Sequence, residues 1–295
     1  MTDAAAHSSA IALLRWYAAM DVDEATASAP QNAFERAAAM PAPEAERIET
    51  PPTPIGHSAI AEAAGAQPAN PFTAEARRAP KRAAVVVKPE TSTADEAAAE
   101  AARLAAACKD IESLAAAIEA FDGCPLKEGA RKTVVYDGAV GADLLVIGEA
   151  PGREEDRIGK PFVGRAGGLL DRMLAAIGRS RDENTLITNA IYWRPPGNRA
   201  PTDAETLICR PFVDRFIDLS QPKAIALMGG VAMKALLGQT GITRARGKWR
   251  QIETPSAGAT PALPMFHPAF LLRRPEHKRL AWADLQALAE KLTDG

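Results

Sequence analysis

The sequence predicts an α/β fold, with a mostly parallel sheet covered on both faces by helices and preceded by a disordered tether. Three observations predict it. Four apolar runs, "DLLVIG", "TLITNAIY", "KAIALMG" and "ALPMFH", are nearly continuous rather than alternating, as strands buried on both faces must be. Between and after them lie "AGGLLDRMLAAIG", "TDAETLICRPFVDRFIDL", "GVAMKALLG" and "EHKRLAWADLQALAEKL", whose apolar residues recur at helical spacing. Ahead of these, from about Glu24 to Glu100, the chain is rich in Ala, Pro, Glu, Ser and Thr and poor in aromatics. Such a composition buries too little surface to offset chain entropy.

The elements follow in chain order. Within the front segment, "SAIALLRWYAAMDVDEA" puts Leu13, Leu14, Tyr17 and Met20 on one helical face. It reads as a short helix docking back on its own domain, or as a helix for a protein partner at the end of the tether. Residues 1–92 are thus expected to be a short helix and a low-complexity tether, and residues 93–295 the folded domain. "ADEAAAEAARLAAACKDIESLAAAIEAF" has high helix propensity and stops at Asp122-Gly123. From there strand and helix alternate. In such sheets the site lies beyond the carboxyl ends of the strands, which gathers Glu149, Asn189, Gly229 and His267 around one crevice.

The chain has 295 residues, 47% of them apolar, enough for a real core. From Gly141 onward it carries 22 Lys and Arg against 17 Asp and Glu, whereas the first 140 residues carry 13 against 20. A polyanion would therefore meet the C-terminal half. No run of about eighteen apolar residues occurs, and Met1-Thr2-Asp3 does not open a basic-then-apolar leader. A soluble, intracellular, monomeric protein is the expectation. Cys108, Cys124 and Cys209 are odd in number and share no repeated spacing, which argues against a disulfide framework.

The stretch Gly148–Gly168, "GEAPGREEDRIGKPFVGRAGG", joins a tight turn, an acid cluster, a lone Phe and a Gly-rich helix entry. It is not a phosphate loop, because Lys160 is followed by Pro161 and neither G-x-x-x-x-G-K-[ST] nor G-x-G-x-x-G is present. Downstream come "TNAIYWRPPGNRAP", with Asn189 at a strand end, and "FHPAFLLRRP", with His267 at another.

Over roughly Phe121–Leu292, "GEAPG", "GKPFVGRAG", "RPPGNR.P" and "HPA" occur in the order and spacing of the uracil-DNA glycosylase superfamily, and the chain most resembles its family 4, which is related to a phage polymerase-associated domain. The resemblance implies a three-layer α/β/α sandwich with a four-stranded parallel sheet. It implies an enzyme of base excision repair, cytoplasmic and nucleoid-associated in a bacterium, that flips uracil out of single- or double-stranded DNA and hydrolyses its N-glycosidic bond. Such chemistry needs an extruded base, a pocket reading its edge, and stabilisation of the departing charge.

Asn189 is then the reader, since one amide offers an acceptor and a donor to uracil N3–H and O4. Phe162 gives a stacking face, and His267 donates to uracil O2 as charge develops. Glu149 orients water and supports the sugar cation, with Glu155 as second candidate, either for water or for holding the turn. Ala150 joins the uracil-contacting positions, where many relatives carry an Asp. Arg244, Arg246 and Lys248 in "TGITRARGKWRQ" are expected to contact phosphates from a loop. Leu271, Leu272 and Arg273 are expected to wedge the duplex.

Family 4 holds a [4Fe–4S] cluster by four Cys, whereas the corresponding positions here read Phe121, Cys124, Trp193 and Cys209. The expectation is a chain without cluster, metal or other cofactor. A protein that traps uracil or the abasic product with little turnover is the alternative. The His-bearing basic loop of that branch has no counterpart in "TRARGKW". A pure interaction scaffold sits poorly with intact pocket motifs.

Overall fold

The computed structural model of the chain describes residues 90–293. The expected tether and front helix lie outside the described residues. The sheet has six strands, in the order β1-β3-β2-β4-β6-β5. β2 (Leu144–Gly148), β3 (Thr185–Asn189), β4 (Ala224–Met228) and β6 (Gly258–Met265) form the expected parallel four.

Two antiparallel edges correct the four-strand expectation. β1 (Tyr136–Gly138) pairs with β3, and β5 (Arg250–Thr254) pairs with β6. Neither carries a continuous apolar run. β1 has only three residues, all half-buried, and β5 buries only Ile252 and Thr254. The segment "TGITRARGKWRQ" is accordingly not a plain loop, since it contains the helical turn α7 (Ile242–Ala245) and enters β5 at Arg250.

The Ala-rich stretch divides into α1 (Glu90–Ala107) and α2 (Ile111–Ala120). Asp110 causes the break: its extended backbone and side chain, accepting from Ser113 N at 2.7 Å, start a new helix with a reciprocal capping box. α1 begins three residues ahead of the expected domain boundary. The remaining helices are α3 (Arg153–Ile158), α4 (Arg165–Ala175), α5 (Asp203–Ser220), α6 (Gly230–Leu237), α8 (Pro268–Arg273) and α9 (Lys278–Thr293).

The strand period of two sorts the sheet into two cores. Leu145, Ile147, Leu186, Ile225 and Leu227 face one cluster with α1, α2, α5 and α6. Leu144, Val146, Ile187, Ala226 and Met228 face another with α4, α8 and α9. The result is the expected three layers. From β2 the chain passes to β3 on one side and then to β4 on the other, so the carboxyl end of β2 is a topological switch point, where sheets of this kind place their sites. Among the described residues no helix is long and apolar enough to cross a membrane.

Candidate active site

The candidate site gathers around the end of β2. A Cβ on Gly148 would stand 2.3 Å from Asn189 Oδ1 and 2.5 Å from a ring carbon of Phe162. No side chain fits there, because the Asn189 amide and the Phe162 ring close over that backbone. Asn189 ends β3 with only 2% of its surface exposed. Its amide thus brings both a donor and an acceptor to the point where the Phe162 ring meets Gly148.

Phe162 is buried and held at φ 52, a left-handed conformation rare for an aromatic residue. Two features impose it. Glu155 accepts from Gly152 N (3.1 Å), Val163 N (3.0 Å) and Gly164 N (2.9 Å), tying the two ends of the loop around α3 together. From the far side, Arg181 donates to Phe162 O at 2.8 Å. Gly167 leaves room for the bend, since a Cβ there would lie 1.8 Å from Phe162 O. Asp156, buried next to Glu155, accepts from Arg131 N at 2.7 Å and anchors the same turn to the segment before β1. Glu155 thus holds the turn and has its oxygens committed to backbone amides.

His267 follows β6 and caps α8. Its Nδ1 accepts from Ala269 N at 3.1 Å, so the neutral ring carries its proton on Nε2. Burial, aided by the charge of Arg273 and opposed by Glu155, brings its pKa down to about 4. The ring is therefore neutral at physiological pH. It stacks on Phe162 with centroids 5.5 Å apart and planes at 24°, backed by Gly229 at φ 99, where a Cβ would lie 3.1 Å from His267 Cβ. Glu149 stands one residue beyond β2, its carbonyl accepting from Ile191 N at 3.1 Å. Burial alone raises its carboxyl pKa, the behaviour of a carboxylate in an apolar setting. Ala150, half-buried beside it, packs against the core and brings no polar group.

The expected DNA contacts divide. Arg244, Lys248 and Arg273 are exposed, and Leu272 is half-buried. Arg246 is turned inward instead. It pairs with buried Asp284 (Nε to Oδ2, 2.7 Å), donates to Leu280 O at 2.8 Å and lies 5.7 Å from the centre of the Phe266 ring. That arrangement makes it a structural ion pair rather than a phosphate ligand. Leu271 is fully buried in the α4–α8–α9 core, because residues 268–273 form a helix rather than an open turn. Of the three residues expected to wedge the duplex, Leu272 and Arg273 reach the surface. Arg181 and Asp156 escaped the sequence reading. Arg181 sits in the charged loop "GRSRDEN", which has no periodicity, and Asp156 looks like any member of an acid cluster.

An iron–sulfur cluster does not fit. It requires four thiolates, whereas Phe121 and Trp193 are buried rings with centroids 6.4 Å apart, and Phe121 also meets Phe212 edge-on at 5.2 Å. Cys124 and Cys209 are buried, and the neighbouring Cys124 thiol together with burial pushes the Cys209 thiol well above its ordinary pKa, so that its proton is firmly bound. Protonated thiols are poor metal ligands.

The family described as the uracil DNA glycosylase superfamily matches residues 135–286. A Type-4 uracil-DNA glycosylase of Sulfurisphaera tokodaii is 36% identical over 176 residues, covering 57% of this chain and 78% of the relative. One of Thermotoga maritima is 33% identical over 183 residues, covering 60% of this chain and 91% of the relative. A DNA polymerase of Bacillus phage SP01 is 32% identical over 167 residues, 57% of this chain but 18% of the polymerase.

Proposed function

This chain belongs to the uracil DNA glycosylase superfamily, and we propose on that premise that it excises uracil from DNA by hydrolysing the N-glycosidic bond. The observation that carries the reading is the meeting of three elements at one point. The Asn189 amide and the Phe162 ring converge on Gly148, and Phe162 stacks on the neutral ring of His267.

The chemistry follows from these groups. A uracil flipped from the strand stacks on Phe162 once that ring and the imidazole part. Asn189 accepts from uracil N3–H and donates to O4, a pairing that cytosine, with its N4 amino group and unprotonated N3, does not offer. As the C1′–N1 bond breaks, its electron pair leaves with the base and negative charge spreads to O2. His267 Nε2–H donates there; a pKa of about 4 means it stabilises the anion by a hydrogen bond and not as an imidazolium. Water adds to C1′ on the opposite side. The Glu149 carboxylate stabilises the sugar cation and accepts the proton lost from water, and its raised pKa makes it a better base than an ordinary Glu. Exposed Arg244, Lys248 and Arg273 contribute phosphate contacts.

We assign this activity to residues 93–295 together with the start of α1. The test is incubation of the full chain with a short single-stranded oligonucleotide containing one uracil. Free uracil and an alkali-labile abasic strand are expected in equal amounts. Uracil retained on the protein in a stable complex, with no turnover, would favour trapping; an intact strand would reject both readings.

A further inference from the structure

On the reading that this pocket excises uracil, we propose that Arg181 is a positioning residue for the reaction: its guanidinium sets the Phe162 ring by holding the backbone on which that ring is mounted. All of its donors are placed. Nε donates to Asp171 Oδ1 (2.9 Å). Nη1 donates to Asp137 Oδ2 (2.9 Å) and Pro161 O (3.2 Å), and Nη2 to Phe162 O (2.8 Å) and Asp171 Oδ1 (2.7 Å). These contacts equal the N–H complement of a guanidinium. A Lys, with three donors radiating from one atom, cannot reach two carboxylates and two carbonyls together.

The clamp joins parts distant in sequence. Asp137 lies on the edge strand β1 and is itself held by Lys160 Nζ at 2.9 Å, while Asp171 lies on α4. Arg181 and Asp137 are each only 15% exposed at the side chain, so the pair is more than a solvated surface contact. The direction of the hydrogen bonds separates positioning from general stability. Arg181 fixes the carbonyls of residues 161 and 162, and Glu155 fixes the amides of 163 and 164. Phe162 is thereby kept in a backbone conformation it would not adopt alone, with its ring against Gly148 and His267. Without the clamp the loop is free to relax to negative φ, which re-aims the ring.

A double-mutant cycle tests this. Arg181→Lys, Phe162→Ala and the double variant are compared by single-turnover uracil release at saturating DNA. Each single variant is expected to lose about tenfold to a hundredfold, the scale of one base–aromatic stack, with DNA affinity retained. The double variant should be no slower than Phe162→Ala. Losses that multiply, or a wild-type rate for Arg181→Lys, overturn the proposal. Amide hydrogen exchange gives a readout independent of catalysis. Val163 and Gly164 should exchange at least about tenfold faster in Arg181→Lys while the β2 amides stay protected; unchanged exchange at 163 and 164 also overturns it. Should Arg181→Lys fail to fold, Asp171→Asn, at a half-exposed carboxylate, loosens the same clamp and is expected to show the same coupling to Phe162. A wild-type chain that releases no uracil sinks the functional reading alone, because the exchange experiment still reports on the clamp.

Discussion

The loop from Gly148 to Gly164 follows β2, and Trp193, which meets Phe121, lies just beyond the neighbouring β3, yet the two regions are held in opposite ways. The loop is held by charge and directed hydrogen bonds. Glu155 and Asp156 grip backbone amides from within it, and Arg181 grips its carbonyls from outside. In the cluster, Phe121, Tyr192 and Phe212 meet edge to face, as do Tyr192 and Trp193, in a core that also buries Cys124 and Cys209. Directed bonds fix where a ring points, whereas apolar packing fixes how strongly the layers adhere. Substitutions in the loop should therefore cost rate, and substitutions in the cluster should cost stability.

The largest effect is expected in the cluster. Phe121→Ala removes a buried ring that packs onto Gly123, Trp193 and Phe212, and should lower unfolding free energy by about 3–5 kcal/mol. Chemical denaturation measures this. Uracil release below the new melting temperature should stay near wild type, and a large fall in rate there would break the division between the two regions.

Next comes the pocket. His267→Ala should slow single-turnover release by about 10²–10³-fold, the usual cost of losing one oxyanion donor (about 2.7–4 kcal/mol), while DNA affinity is retained. Weakened binding with a normal chemical step would instead make His267 a DNA contact.

A third effect joins the two properties at one residue. The ring of His267 binds a proton near pH 6.5 when unfolded and only near pH 4 when folded. The unfolded state thus holds more protons between those values. Stability from the buried neutral ring is complete above pH 6.5 and is lost as pH falls toward 4. By linkage the loss reaches about 3 kcal/mol at pH 4, and denaturation of wild type beside His267→Gln should reveal it as the difference between their acid limbs. Identical acid limbs would mean that the ring is not buried neutral.

The smallest expected effect lies outside both regions. Lys248→Ala, at an exposed cation, should reduce the salt dependence of binding to single-stranded DNA by about 0.7, the share of one phosphate. The unfolding free energy should not move. A loss of stability would place Lys248 with Arg246 as a structural cation.

Parts of this architecture are legible in the sequence because they are written as periodicity. The four parallel strands are apolar on both faces, and alternate residues of each reach different cores. β1 and β5 leave no such mark, since an edge strand that is half-buried needs no apolar run. Asn189, Phe162 and His267 are legible through motif spacing, and the structure brings them together. Arg246 and Leu271 mislead for a physical reason: a basic stretch and an apolar turn say nothing of which way each side chain faces, and both face inward. Arg181 is invisible because its partners are carbonyls and carboxylates 10 to 44 positions away. The glycines at 148 and 167 are explained only once Asn189 and Phe162 are seen pressing on them.

Single-turnover uracil release by Asn189→Asp, measured beside wild type on one saturating single-stranded oligonucleotide, tests the central claim most directly. A carboxylate offers no donor to uracil O4 and repels the anion as it forms, in a site where an unpaired buried group is costly. Wild type should release one uracil per strand, and the variant should be slower by on the order of 10³-fold with its DNA affinity intact. A variant that keeps pace with wild type would contradict the assignment of Asn189 as the group that reads the base, and with it the pocket built on Gly148.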